Sequence, residues 1–361
     1  MHLQSLGWNE HFASNFACHR DLGLLPARVG GQERGRYLIY GEFETAPAEV
    51  SGKFRFEAES KADFPVVGDW VAVSFATDQD VATIHATLPR RTAFSRNAAG
   101  RVAEDQILAA NIDTVFIVAG LDNEFRVRRI ERYVVTAWDS GATPVLVLNK
   151  ADICPNIEPF VRQASDAAPG IPVVPISAKE GSGLDSLAPH LTPGTTVVLL
   201  GSSGVGKSSL VNRLLNEDRQ AVRAVREGDK GGDKGRHTTT SRELIALPGG
   251  ALLIDTPGLR ELQLAADDEG LDAAFDDIVA LADGCRFDDC SHGQEPGCAV
   301  KEAVERGELP RDRLTSYLKL QRELRRTAVR KTLRAAQVER IRIKSATRAF
   351  ERHKRRFMKE A

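Results

Sequence analysis

The sequence predicts a chain in three structured parts: a small β-barrel or sandwich, a central α/β unit on a parallel sheet, and a helical C-terminal part. Three observations carry this. Short strands punctuated by Gly, Pro and Asp run from residue 34 to about 90. Continuous apolar runs follow, most separated by helix-length segments, as parallel strands buried on both faces require. Beyond residue 262 the strand pattern stops, and three cysteines and a histidine crowd into the segment 285–298 ahead of a basic helical stretch.

Composition sets the outer bounds. Among 361 residues, 49 Lys and Arg face 50 Asp and Glu, for a net charge of −1, and 42% are hydrophobic, enough for real cores. At roughly 100–200 residues per domain the length predicts two to three domains. No apolar run approaches the ~18 residues of a membrane span. The opening MHLQSLGWNE lacks the basic-then-apolar pattern of a secretory signal, so the expectation is a cytoplasmic protein with no membrane partner. Near-neutrality hides a polarised chain: residues 311–361 carry a net +13 and the remainder −14. A basic arm of this kind suits a polyanion.

Taken in order, residues 1–33 are mixed in character and are assigned only as an N-terminal extension. Residues 34–92 hold four strand-like segments, RYLIYGEF, EVSGKFRFEA, DWVAVSF and DVATIHATL, and LPRRTAFSR (88–96) reads as a connector. Residues 93–262 contain the apolar runs TVFIVAG, PVLVLNK, PVVPISAK, TVVLLG and ALLIDTPG, with crossover helices expected at 126–138 and 208–215. Residues 263–361 are helical around 268–282, then metal-binding, then basic.

The segment Gly201, Ser202, Ser203, Gly204, Val205, Gly206, Lys207, Ser208, Ser209 matches G-x-x-x-x-G-K-[ST] between an apolar strand and a helix. Glycines let backbone N–H groups curl around phosphate oxygens, and the helix N-terminus adds partial positive charge. Lys207 would reach the outer phosphates, and the Ser208 hydroxyl would ligate Mg²⁺. Asn149, Lys150, Ala151 and Asp152 match N-K-x-D, whose carboxylate accepts two hydrogen bonds from guanine and would stay unpaired against adenine. Ser177, Ala178 and Lys179 resemble the loop that backs the base with main-chain N–H groups. Asp255 to Gly258 resembles D-x-x-G, with Asp255 on Mg²⁺ through water and the Gly258 N–H toward the γ-phosphate. Thr238, Thr239 and Thr240 offer a switch hydroxyl for Mg²⁺, Thr239 being the first choice.

The four firmer motifs each follow the carboxyl end of an apolar strand, and those ends share one edge of an open parallel sheet, where ligands bind. Motifs scattered in sequence therefore make one GTP/GDP site. Their order differs from that of ordinary GTPases, because the base-reading motifs precede the phosphate motifs. That is a circular permutation, in which the phosphate-sensing region ends the α/β unit and leads into the metal cluster.

Cys285, Cys290, His292 and Cys298 supply three thiolates and an imidazole, the full tetrahedral set for one structural Zn²⁺. In a segment with few large apolar residues the metal supplies folding energy that a core cannot. Cys18 and Cys154 read as ordinary thiols.

Together these residues, with VVGDWV (66–71) and GRHTT (235–239), resemble the ribosome small-subunit-dependent GTPase A family over about residues 34–330. The resemblance implies an OB-like barrel, a circularly permuted P-loop GTPase domain and an α-helical zinc domain. It also implies weak intrinsic hydrolysis of GTP to GDP and phosphate, stimulated by the small ribosomal subunit late in its maturation and driving release. The expected partners are that subunit and its rRNA, met by a monomer. The competing expectation is an RNA-binding assembly module for which nucleotide is only an ordering ligand. Many GTPases place a Gln after D-x-x-G to orient the attacking water. Here that position is Leu259, and His237 is the nearest polar group in the switch segment, so His237 is the catalytic candidate beside Lys207 and Thr239.

Overall fold

The computed structural model describes residues 2–33, 35–76, 80–97, 105–216, 242–255, 268–293, 295–326 and 328–329. The first helix, α1 (Glu10–Arg20), is capped by Asn9, whose side chain accepts from the Phe12 amide. Its Phe12 and Phe16 are buried with Leu6, Trp70 and Leu88 on the outer wall of a barrel.

That barrel comprises β1 (Leu25–Glu33), β2 (Arg36–Gly41), β3 (Glu44–Val50), β4 (Trp70–Phe75) and β5 (Ala82–Thr87), with α2 (Gly52–Glu57) between β3 and β4. The strand order β1-β2-β3-β5-β4 closes through a β1–β4 pairing, and only β3–β5 is parallel. This is the OB-type closure, which leaves no free edge among the five strands. The period-two alternation is direct: Val71 and Val73 point into the barrel with Ile39 and Ile84, while Trp70 and Ala72 face α1.

Three expectations change here. Leu25–Glu33, placed by sequence in an extension, is the strand that pairs with both β2 and β4. Its signal is hidden because Gly30 and Gly31 interrupt the alternation and a buried Arg28 occupies the middle. The segment EVSGKFRFEA is a strand only to Val50, because Ser51 then accepts from the Phe54 amide and starts α2. Within the expected connector, β6 (Ala93–Asn97) is a strand that pairs antiparallel with β7 (Asp105–Ala110).

The central sheet contains β8 (Thr114–Gly120), β9 (Thr143–Asn149), β10 (Val173–Pro175), β11 (Thr196–Leu200), β12 (Arg242–Ala246) and β13 (Leu252–Asp255). Their order is β10-β9-β8-β11-β13-β12, parallel except for β12. Successive β8 residues enter opposite cores: Val115 and Ile117 pack with Ile130 and Val134 of α3 (Val127–Asp139), and Phe116 and Val118 with Leu210 of α5 (Lys207–Leu215). Burial on both faces is the reason for the unbroken apolar run. Between β9 and β10 lies α4 (Glu158–Ala167).

Barrel and sheet are hydrogen-bonded into one surface. β1 pairs with β12 at Gly31↔Glu243 and Gln32↔Arg242. The buried Arg28 guanidinium donates to the carbonyls of Leu6, Gly68 (3.2 Å) and Asn111 (3.0 Å), and burial pulls its pKa down to about 10.

The C-terminal part holds α6 (Asp268–Ala274), α7 (Asp276–Ala282), α8 (Ala299–Glu305) and α9, residues 311–326. Leu271, Phe275, Ile278, Tyr317 and Leu320 belong to the same core as α3, so among the described residues this part shares its core with the central sheet. Arg313 of α9 ties it down, donating to Asp277 (2.7 Å), to the Ala167 carbonyl (3.1 Å) and to the Ala274 carbonyl (3.1 Å). Among the described residues no helix is long and apolar enough to cross a membrane.

Candidate nucleotide site and metal centre

The phosphate loop leaves β11 at Leu200 and becomes α5 at Lys207. Gly206, at φ 93°, leaves room for Asn149: a Cβ there would lie 2.2 Å from Asn149 Nδ2. At Gly201 a Cβ would lie 2.4 Å from the Val118 carbonyl oxygen. The loop can therefore run this close to its neighbours only with glycine at those positions. Lys207 is buried, and its Nζ donates to the carbonyls of Gly201 (2.6 Å) and Ser202 (2.5 Å). Ser203 and Gly204 form the exposed bend, and Ser208 and Ser209 lie in the first turn of α5.

Asn149 is the point where the motifs meet. Its Nδ2 donates to the Val205 carbonyl of the phosphate loop at 2.8 Å, and its Oδ1 accepts from the Ala178 amide at 2.9 Å. One buried amide thus joins three segments far apart in sequence. Asp152 accepts from the Ser177 hydroxyl at 2.6 Å, which holds its carboxyl below the usual range and keeps it an acceptor. Lys150, at φ 72°, donates to Asp122 at 2.5 Å. Lys179 is exposed beside Ala178, and the carbonyls of both are held by Arg213 of α5.

Asp255 closes β13 on the same edge as Asn149 and Leu200. His237, Thr238, Thr239, Thr240, Gly258 and Leu259 lie outside the described residues, as does the basic segment 330–361. Sequence reading missed Asp122, Arg129 and Arg213. Asp122 follows the carboxyl end of β8, and the edge rule that located the motifs points to it equally. Arg129 and Arg213 act from helices, where nothing in the sequence sets them apart from surface arginines.

In the C-terminal part, Cys285, Cys290, His292 and Cys298 present ligand atoms all within 4.8 Å of one another. Tetrahedral zinc, with Zn–S of about 2.3 Å and Zn–N of about 2.0 Å, requires edges of about 3.8 Å between sulfurs and about 3.5 Å between sulfur and nitrogen. The observed Cys285–Cys298 sulfur separation is 3.9 Å, and His292 Nδ1 lies 3.7 and 3.5 Å from those two sulfurs. Three sulfurs this close can all be ionised together only around a cation, which removes their protons as it binds. The donor set fits zinc.

A family profile described as RsgA GTPase matches residues 87–265. The chain is 49% identical to "Small ribosomal subunit biogenesis GTPase RsgA 2" of Lactiplantibacillus plantarum, over 84% of this chain and 85% of that protein. It is also 49% identical to "Small ribosomal subunit biogenesis GTPase RsgA" of Opitutus terrae, over 90% of each. Among solved structures it resembles YjeQ from Thermotoga maritima, with 28% identity and a TM-score of 0.64 over 83% of this chain and 98% of that one. YloQ, described as a circularly permuted GTPase, shares the fold at 24% identity and a TM-score of 0.62, over 84% of this chain and 96% of that one.

Proposed function

Because the chain belongs to the RsgA GTPase family and is a GTP hydrolase, we propose that it acts in late maturation of the small ribosomal subunit, which stimulates its hydrolysis of GTP and from which hydrolysis releases it. The observation that supports this best is the Asn149 bridge, which joins the phosphate loop to both base-reading loops at one sheet edge. In this reading Asn149, Asp152 and the loop Ser177–Lys179 select guanine. The phosphate cradle comprises residues 201–209 with Gly258, and Lys207 meets the outer phosphates. Ser208 and Thr239, with Asp255 through water, would hold Mg²⁺, which supplies charge neutralisation on the phosphates.

Leu259 has no hydrogen-bonding side chain, so we assign the orienting of water to His237. The zinc cluster is structural in this proposal: it offers four protein ligands and no open position. The basic C-terminal segment contacts rRNA phosphates, and the protein works as a cytoplasmic monomer.

The deciding experiment measures turnover of GTP and of ATP by the full chain, alone and with purified small subunits. GTP hydrolysis that rises with subunits and is untouched by excess ATP supports the proposal. Turnover indifferent to subunits would return it to a binding module ordered by nucleotide.

A further inference from the structure

The helix α3 carries an arginine that reaches the phosphate loop. Arg129 Nη1 donates to the Ser202 hydroxyl at 2.9 Å and lies 3.5 Å from a Glu124 carboxylate oxygen. Ser202 is the second residue of the phosphate loop, and its carbonyl oxygen accepts from Lys207 Nζ at 2.5 Å. The same residue is thus gripped at its hydroxyl by α3 and at its carbonyl by the lysine that would move to the phosphates.

The helix behind Arg129 is anchored from both sides. Ile130, Val134 and Val135 are buried in the main core. Glu131 is 4% exposed and takes a hydrogen bond from Ser316 of α9, and Arg132 pairs with Glu323 of α9 at 2.8 Å. The backbone from which Arg129 reaches the loop is therefore held in place.

We infer that Arg129 is a positioning residue for the GTP site: through Ser202 it holds the first bend of the phosphate loop in place while Lys207 transfers from loop carbonyls to phosphate oxygens. This rests on the nucleotide reading above. When Lys207 turns to the nucleotide, the Ser202 carbonyl loses that donor, and the Arg129 hydrogen bond to the hydroxyl remains. A loop that keeps its shape binds phosphate without first being ordered, so the contribution belongs to binding of GTP and GDP alike.

Nucleotide titration and steady-state hydrolysis on the full chain test this, using Arg129→Ala, Arg129→Gln, Ser202→Ala and the double variant Arg129→Ala/Ser202→Ala. A hydrogen bond from a charged donor predicts a loss of about tenfold in affinity for both GTP and GDP in Arg129→Ala, appearing in KM with kcat little changed. Ser202→Ala should lose the same factor, and the double variant no more than either single, because both remove one contact. Arg129→Gln, which keeps an N–H donor, should recover part of the loss, as a merely structural role would not require. Wild-type affinity in Arg129→Ala, or losses that multiply in the double variant, would overturn the inference. If Arg129→Ala misfolds, Ser202→Ala and Arg129→Gln still decide it through the same affinities. Failure of the wild-type chain to bind guanine nucleotide would instead sink the nucleotide reading itself.

Discussion

Asn149 donates to Val205 and accepts from Ala178 while only 3% exposed, so its removal strands two buried main-chain groups. Asn149→Ala should lower stability by about 1–3 kcal/mol and weaken GTP binding together, read by thermal melting and nucleotide titration. Asp152 stands differently: its carboxylate accepts from Ser177 at the rim of the site, so Asp152→Asn should loosen guanine selectivity while leaving the melting temperature near that of the wild type. The pair Lys150–Asp122 adds a pH dependence. Lys150 holds the Asp122 carboxyl below its usual value, so the folded state keeps it ionised further into acid than the unfolded chain does. The stability from this pair is full above the unfolded pKa of about 3.9 and is lost as the pH falls through the lower folded value. Asp122→Asn should therefore cost about 1 kcal/mol or less at neutral pH, and the gap to wild type should close under acid in melting curves run from neutral to strongly acidic buffer.

At the scale of elements, the metal segment and α9 are held by groups that single substitutions can test. Metal analysis should return one zinc per chain, and Cys290→Ser should lose it and unfold residues 285–298, detectable by hydrogen exchange. A fully folded segment in the metal-free protein would contradict the assignment. Arg313 is one of the attachments of α9: it is 5% exposed and donates to Asp277, Ala167 and Ala274. Arg313→Ala leaves the Asp277 carboxylate and two carbonyls without that partner and should cost about 3 kcal/mol, seen in denaturant unfolding.

At the scale of the whole molecule, β12 joins the barrel to the central sheet. It follows the segment containing Thr238 to Thr240 and bonds to β13 on one side and to the barrel strand β1 on the other. The charge asymmetry belongs to this scale too: removing residues 330–361 should weaken association with small subunits and flatten its salt dependence, because fewer counterions are released. Unchanged binding across a salt series would make that segment a solvated surface and nothing more.

The apolar runs at 114–120, 144–150, 172–179, 196–201 and 251–258 by themselves determined five parallel strands, because burial on both faces demands continuous apolar sequence. The sequence also singled out Asn149 and the four Cys/His side chains that the fold brings together, because tight backbone approach and metal coordination admit few residue types at fixed spacing. Tertiary structure alone decided the rest. β1 became a barrel strand despite Gly30, Gly31 and Arg28, because closure of the barrel pairs it on both edges and three carbonyls satisfy the arginine. β12 is a five-residue strand whose role comes from its two neighbours rather than from its own pattern. Arg129, Arg213 and Arg313 carry no spacing signal, because a long polar side chain takes its role from what the fold brings within hydrogen-bond reach, and reach is set by packing between segments that the sequence keeps apart.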